Sequence, residues 1–199
     1  MPHSTITLAS SSPTRALILN KLHLPFAQIA PNIDETAHAN ESPRNLVQRL
    51  GKEKAYAVAN TGQQGIIIAG DQVLLHRDRV IGKPHTKACA IQQLTLCSGQ
   101  TVTSLASLSV LHTQSQTFTC DIATCTIRYK KLSAALIEKY IDCDTPFQCA
   151  GSIAFEKKGF ILIESLESND PYSIYGMPLL TLTSRLQDLG IDTMEMLTM

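Results

Sequence analysis

The stretch GIIIAGDQVLLHRDRVIGKP, Gly65 to Pro84, decides how the rest of the chain must be arranged. Ile66-Ile67-Ile68-Ala69 is a short apolar, β-branched run, the composition of a strand buried on both faces. It ends in Gly70-Asp71, so a carboxylate stands at the mouth of a buried strand behind a glycine that lets backbone or ligand come close. A hairpin through Arg77-Asp78-Arg79 then returns the chain to Gly82-Lys83-Pro84, a lysine between a flexible and a rigid residue. An acid and a base are thereby brought to one end of a sheet. Such a pair suits metal-assisted phosphate chemistry, with the carboxylate binding the cation or taking a proton from water and the lysine neutralising phosphate oxygen. The same residues also suit a strand-end turn and a surface lysine.

The totals narrow the function classes. At 199 residues the chain can bury a substantial core in one or two domains. Lysine plus arginine equals aspartate plus glutamate at 17 each, so no long-range field draws the protein to nucleic acid or to an anionic membrane. The N-terminal MPHSTITLASSS has no basic start followed by an apolar core, and no run approaches membrane-spanning length, which predicts a cytoplasmic protein. Six cysteines form no CxxC pair and have no histidines at zinc spacing, so they read as reduced core or strand residues. Repeats, charge blocks and a low-complexity linker are absent, and one domain spanning 1–199 is expected.

Outward from the central stretch, Ser4 to Ala9 reads as a first strand, followed by Ser10-Ser11-Ser12-Pro13 and a helix from Arg15 to Leu22. The serines with Pro13 make an N-cap, and the same turn can hold an anion at the helix N-terminus. Arg15 in the first turn opposes the helix dipole unless an anion is near. Phe26 to Ala30 is a second strand leading to Asp34-Glu35, which point in different directions in an extended chain, so that one can face a site while the other faces solvent or caps a turn. Ser42-Pro43 opens a helix through about Asn60; Leu46, Val47, Leu50, Ala57 and Val58 form its apolar stripe, with Lys54 inside the stripe and Lys52 outside it. Lys54 is either a snorkelling stem or a phosphate ligand on a rigid helix. Thr86 to Cys97 is another helix, Thr101 to His112 and Thr117 to Tyr129 an antiparallel pair, and Ser133 caps a helix through Ile141. After a run of small residues Glu156 stands as an isolated acid; Gly159 to Glu164 reads as a strand, Asn169-Asp170-Pro171 as a turn, and Gly176-Met177-Pro178 introduces a last helix to about Leu189. The class is α/β with a mixed sheet. Neither GxxxxGK[ST] nor GxGxxG is present, so P-loop and Rossmann readings lose their support.

Leu8 to Arg15 (LASSSPTR), Asp34-Glu35-Thr36, Glu53-Lys54-Ala55, Gly70 to Val73 (GDQV), Gly82-Lys83-Pro84, Cys149 to Ser152 (CAGS) and Gly176 to Leu179 (GMPL) together resemble the Maf family of nucleotide pyrophosphatases, in order and over nearly the whole chain. Gln72, the segment Glu41 to Arg44 (ESPR) and Glu156 resemble its YceF-type branch of 7-methyl-GTP pyrophosphatases. The resemblance implies a Maf/inosine-triphosphatase-like fold: an elongated mixed sheet flanked by helices, with a deep cleft between two lobes. It implies cleavage of the α–β phosphoanhydride of a nucleoside triphosphate with a divalent cation, magnesium or manganese, and a homodimer. Asp71 is then the general base and a metal ligand with Glu35, while Ser10, Ser12, Arg15, Lys54 and Lys83 clamp the phosphates. Thr14, Gln72 and Glu156 correspond to the specificity positions. A carboxylate at Glu156 can accept from N1–H and the exocyclic amine of guanine and complements a positive 7-methylated ring. The chain departs from the branch at Thr14, where a bulky aromatic is usual, and at Lys157, where a glycine is. The alternatives are another nucleotide such as dTTP or UTP, or a nucleotide-binding regulator of septum formation. A nucleic-acid-binding domain disagrees with the zero net charge and the absence of tryptophan.

Overall fold

A computed structural model of the protein describes residues 5–192, so the expected strand start at Ser4 lies outside the described residues. In chain order the elements are β1 (Ile6–Ala9), α1 (Pro13–Leu19), β2 (Phe26–Ile29), α2 (Pro43–Ala59), β3 (Ile66–Ala69), β4 (Gln72–His76), β5 (Arg79–Ile81), α3 (Lys87–Cys97), β6 (Thr101–His112), β7 (Thr117–Tyr129), α4 (Ala134–Asp144), β8 (Ile163–Ser168) and α5 (Leu179–Asp188). The eight strands of the described residues form one mixed sheet, in the order β2-β1-β3-β6-β4-β5, with β7 and β8 continuing from β6. Helices cover both faces, as expected of an α/β chain.

The long strand β6 organises the sheet. On one side it pairs along its whole length with β7. On its other side it pairs antiparallel with β3 through residues 109–112 and with β4 through residues 103–106. Ala69 faces Ser109 and Gln72 faces Ala106, so β3 and β4 lie end to end in a single register with Gly70-Asp71 between them. The break is local: Asp71 O still accepts from Ser107 N (2.8 Å), but Asp71 N donates to the Ser107 hydroxyl (2.9 Å). A Cβ at Gly70 would lie 2.2 Å from the Ser107 carbonyl oxygen, which only glycine tolerates.

This break is where the sheet has a notch. β1 pairs in parallel with residues 66–68 of β3, and its C-terminal end delivers Ser10 beside the break. β5 pairs with β4 from Ile81 opposite Leu74 outward, so the chain leaving Ile81 runs back toward the same break and delivers Gly82 and Lys83. Three strand ends meet at one place because of register, and they carry Ser10, Asp71 and Lys83.

Side-chain alternation along the continuous register assigns the faces. Ile67, Ala69, Val73 and Leu75 face α2, packing with Ala55 and Val58 and with Leu46, Val47 and Leu50. Ile66 and Ile68 take the opposite face, under α1 and α5 with Ile18, Leu19, Leu182 and Leu186. Leu74 shares that face farther along, under α3 and α4 with Leu94, Ile137 and Ile141. Asp71 therefore falls on the α2 face and Gln72 on the other.

The antiparallel pair β6 and β7 matches its expected bounds, and α1 to α4 begin where capping places them: Ser12, Ser42, Thr86 and Ser133 each accept from the backbone N–H three residues on. The first helix, expected to run to Leu22, ends as an α-helix at Leu19 and tightens to a 3-10 turn over Asn20–Leu22. A second expectation is corrected. Gly159 to Leu162 is a 3-10 turn, and the strand β8 begins only at Ile163. Gly159 N donates to Ala154 O (2.9 Å), coiling the chain there, and of the three apolar side chains that follow Phe160 and Ile161 are exposed while Leu162 is buried. An apolar run with one buried residue in three does not have a strand's period.

Candidate active site

A cleft of about 870 Å³ opens at the notch. Its lining contains every residue singled out from the sequence: Ser10, Ser12, Thr14, Arg15, Glu35, Lys54, Asp71, Gln72, Lys83 and Glu156. Its apolar wall includes Leu74, Ile81, Ile153, Phe155 and Ile174.

The centre of the cleft is Lys54. It is buried on α2, as its place in the apolar stripe requires, whereas Lys52 is exposed. Its ammonium lies 2.7 Å from Asp71 Oδ1 and 2.7 Å from Glu35 Oε1. A buried ammonium needs such partners, since an unpaired one costs several kcal/mol in desolvation. Lys54 reaches this position because α2 lies unusually close to the sheet one turn earlier. A Cβ on Gly51 would stand 2.6 Å from Ser109 Oγ and 2.8 Å from Ser107 Oγ. Ser107 Oγ donates to Val47 O (2.6 Å), so this one hydroxyl joins α2 to the Asp71 backbone. Gly51 and Ser107 were not singled out from the sequence, because a helical glycine and a strand serine show their role only when the two surfaces meet.

Asp34 and Glu35 divide as alternation predicts. Asp34 Oδ1 accepts from Thr36 N (2.9 Å) and closes a turn, while Glu35 faces Lys54. Burial works against the charged form of Glu35, yet the hydrogen bond and charge of Lys54, with Lys83 and Arg15 beyond, hold its carboxyl below the usual range. The Arg15 guanidinium is pulled below its ordinary value by burial, against the opposing charges of Asp71 and Glu35. These carboxylates are the negative charge that a first-turn arginine needs. Arg15 donates through Nε to Gly176 O (3.0 Å) and through Nη1 to Ser10 Oγ (3.3 Å). Ser10 Oγ also accepts from Ser12 N (3.1 Å), and Ser12 Oγ caps α1 by accepting from Arg15 N (3.3 Å).

On the opposite face Gln72 is fixed rather than free. Its Nε2 donates to Ser104 Oγ (2.9 Å) and Ile174 O (3.0 Å). Its carbonyl lies against Gly176, where φ is +75° and a Cβ would come within 2.9 Å of Gln72 Oε1 and 3.1 Å of Arg15 Nε. The Gly176 turn thus holds Gln72 and Arg15 together, which explains the glycine in the GMPL segment. Glu156 is exposed on a turn braced by α4, with Ala154 N donating to Tyr140 Oη (2.8 Å) and Lys158 N to Asp144 Oδ2 (2.8 Å). Lys83 is exposed at the rim.

Among the described residues, no group of three or more His, Cys, Asp and Glu side chains converges as a ready-made metal site. Glu35 and Asp71 nevertheless direct oxygens at one common cation, Lys54. Two hard carboxylates at the edge of an open cleft fit a small divalent ion that fills its shell with water and phosphate oxygen. No helix among the described residues is long and apolar enough to cross a membrane.

Comparison with known proteins agrees with this geometry. The family model of Maf-like proteins matches residues 5–189. A protein of Pseudoalteromonas atlantica named 7-methyl-GTP pyrophosphatase is 42% identical over 190 residues, covering 96% of this chain and 97% of that one. Proteins of the same name from Pseudoalteromonas translucida (40% identical, 96% of this chain and 94% of the relative) and Pseudomonas aeruginosa (38%, 94% and 97%) are similar over the same extent. With a match this long and a cleft that gathers the motif residues, the chain belongs to the Maf family.

Proposed function

We propose that this Maf family nucleotide pyrophosphatase hydrolyses 7-methyl-GTP at the α–β phosphoanhydride, giving the monophosphate and pyrophosphate, and that residues 1–199 act as one catalytic domain. The observation that carries the reading is the placement of two carboxylates around the buried Lys54 in a cleft also lined by Arg15, Lys83, Ser10 and Ser12. That set matches the charges of the reaction. Arg15, Lys54 and Lys83 neutralise the triphosphate, and the Ser10 and Ser12 hydroxyls at the α1 N-terminus orient its oxygens. Lys54 takes Asp71 Oδ1, which leaves Oδ2 to accept a proton from the attacking water. Glu35 and Asp71 would hold a divalent cation, magnesium or manganese, which when bound offsets charge on the bridging and leaving oxygens. Because the strand registers position Ser10, Asp71 and Lys83, the reactive groups need little reorganisation.

Base selection falls to the other end of the cleft. Glu156 accepts from the guanine N1–H and exocyclic amine and complements the positive charge of the 7-methylated ring. Gln72, with its amide donors already used, offers only its carbonyl. Thr14 supplies no aromatic surface, so stacking is left to the cleft's apolar wall. The names of the relatives support this choice of nucleotide. The homodimer and the cytoplasmic location rest on resemblance and composition.

The test is pyrophosphate release from 7-methyl-GTP, GTP, dTTP and UTP with magnesium or manganese. Selective hydrolysis of 7-methyl-GTP is expected. Preference for dTTP or UTP would overturn the substrate and keep the reaction, and binding without release would make the protein a nucleotide-binding regulator.

A further inference from the structure

Glu35 sits on a segment without regular structure, between the end of β2 at Ile29 and the start of α2 at Pro43. A carboxylate in such a segment needs a support to stay at a buried ammonium. We infer that Arg49, outside the cleft, is that support: a positioning residue that clamps the segment onto α2 and thereby holds Glu35 at Lys54 and Asp71. The inference rests on the proposed role of Glu35.

Arg49 uses its whole fork. Nε donates to Glu41 Oε1 (2.7 Å), and Nη2 donates to both Glu41 Oε2 (2.8 Å) and Thr36 O (3.0 Å). Nη1 reaches Glu53 Oε2 (3.0 Å), one turn along α2. Glu41 Oε2 accepts in addition from His38 N (3.0 Å), so the segment is held at residues 36, 38 and 41 by one connected network. Thr36 is the residue next to Glu35. The clamp is largely shielded, the Arg49 and Glu41 side chains being 18% and 9% exposed, which distinguishes it from an ordinary surface ion pair. Arg49 and Lys54 lie on the same rigid helix, so the segment is tied to α2 on both sides of the Glu35–Thr36 bond: through the Glu35 carboxylate at Lys54 and through the Thr36 carbonyl at Arg49. A lysine cannot replace this arrangement, because one ammonium lacks the planar bidentate geometry that serves Glu41 while a further N–H serves Thr36.

The experiment compares Arg49→Met, Arg49→Lys and Glu41→Gln with the wild type. Circular dichroism and melting show first that each variant is folded. Amide exchange at residues 35–38 is expected to rise about tenfold in both Arg49 variants, with exchange in β3 unchanged. The magnesium concentration giving half-maximal hydrolysis is expected to rise by about tenfold, the scale on which loss of a ligand's supporting partner acts, while kcat at saturating magnesium changes less than about twofold. Glu41→Gln retains one acceptor and is expected to fall between. Unchanged exchange at 35–38 in a folded Arg49→Met protein would overturn the inference. So would an unchanged magnesium requirement where Glu35→Gln abolishes turnover, an outcome that keeps the catalytic reading. If the wild type hydrolyses no nucleotide while Arg49→Met loosens residues 35–38, the clamp stands and the catalytic reading falls.

Discussion

At the scale of the residue the protein turns on one buried ammonium serving two carboxylates. Lys54 is 4% exposed, and its two 2.7 Å contacts make its charge tolerable in the interior. The chemistry assigned to Asp71 is open to a direct test. Asp71→Asn keeps an oxygen for Lys54 and preserves the backbone bonds to Ser107, so the fold should be retained, with a melting temperature close to wild type. Turnover should fall by at least about 100-fold, the lower end of what a positioned general base contributes. Near-normal activity would remove Asp71 from its role. Lys54 was legible in the sequence because a lysine inside an apolar stripe must point at something. Arg49 was not, since it lies on the polar flank of the same helix and its partners Thr36 and Glu41 belong to a segment without periodicity.

At the scale of the element two contacts decide how α2 sits. The first is the close approach of Gly51 to Ser107 and Ser109. Gly51→Ala would gain helix propensity, but its Cβ would meet two hydroxyl oxygens at 2.6 and 2.8 Å. Overpacking should win, giving a net loss of about 1–3 kcal/mol in urea unfolding together with reduced activity, because the helix that carries Lys54 must lift. A Gly51→Ala protein more stable than wild type would refute the close packing. The second contact is the clamp between α2 and the segment before it. The hydrogen bond from Arg49, aided by the His38 backbone N–H, pushes the Glu41 carboxyl down to about 2 from an ordinary 4.5, against a smaller opposing effect of burial. His38, Glu53 and Asp34 are other titratable groups near the pair. A folded-state pKa below the unfolded one stabilises the fold fully above pH 4.5 and stops doing so as pH falls through about 2. Melting curves between pH 5 and pH 2 should therefore drop more steeply for the wild type than for Glu41→Gln; parallel curves would show the pair to be without weight.

At the scale of the whole molecule the cleft is a product of sheet topology. β6 is long enough to hold β3 and β4 end to end, and the interval between them pairs with neither β1 nor β5 on its other side, so the sheet is interrupted where Asp71 lies. Cleft walls come from α1, α2, the β5–α3 connection and the turn carrying Glu156, so a ligand there bridges parts of the chain far apart in sequence. A 7-methyl-GTP analogue with a methylene in place of the α–β oxygen should raise the unfolding free energy by about 2.7 kcal/mol at a hundred times its Kd. Lys83→Ala should shift the concentration dependence of that effect upward, without lowering the melting temperature of the free protein.

The sequence by itself determined the elements and the chemistry. Periodicity, capping serines and turn residues located nearly every helix and strand, because these depend on neighbours within a few positions. Five of the seven short motifs supplied nine of the ten candidate site residues, with Glu156 standing apart as an isolated acid, because phosphate chemistry needs charged groups that have little other reason to stand at strand ends. Only the tertiary structure decided that Asp71 faces Lys54 and Gln72 faces Ser104, that Gly51 and Ser107 set the depth of α2, and that Arg49 carries the segment of Glu35. Those outcomes depend on strand register and on contacts between residues tens of positions apart, which no local pattern encodes. The coil at Gly159 to Leu162 belongs to the same class: its apolar run resembles a strand until the bond to Ala154 and the docking on α4 wind it into a turn.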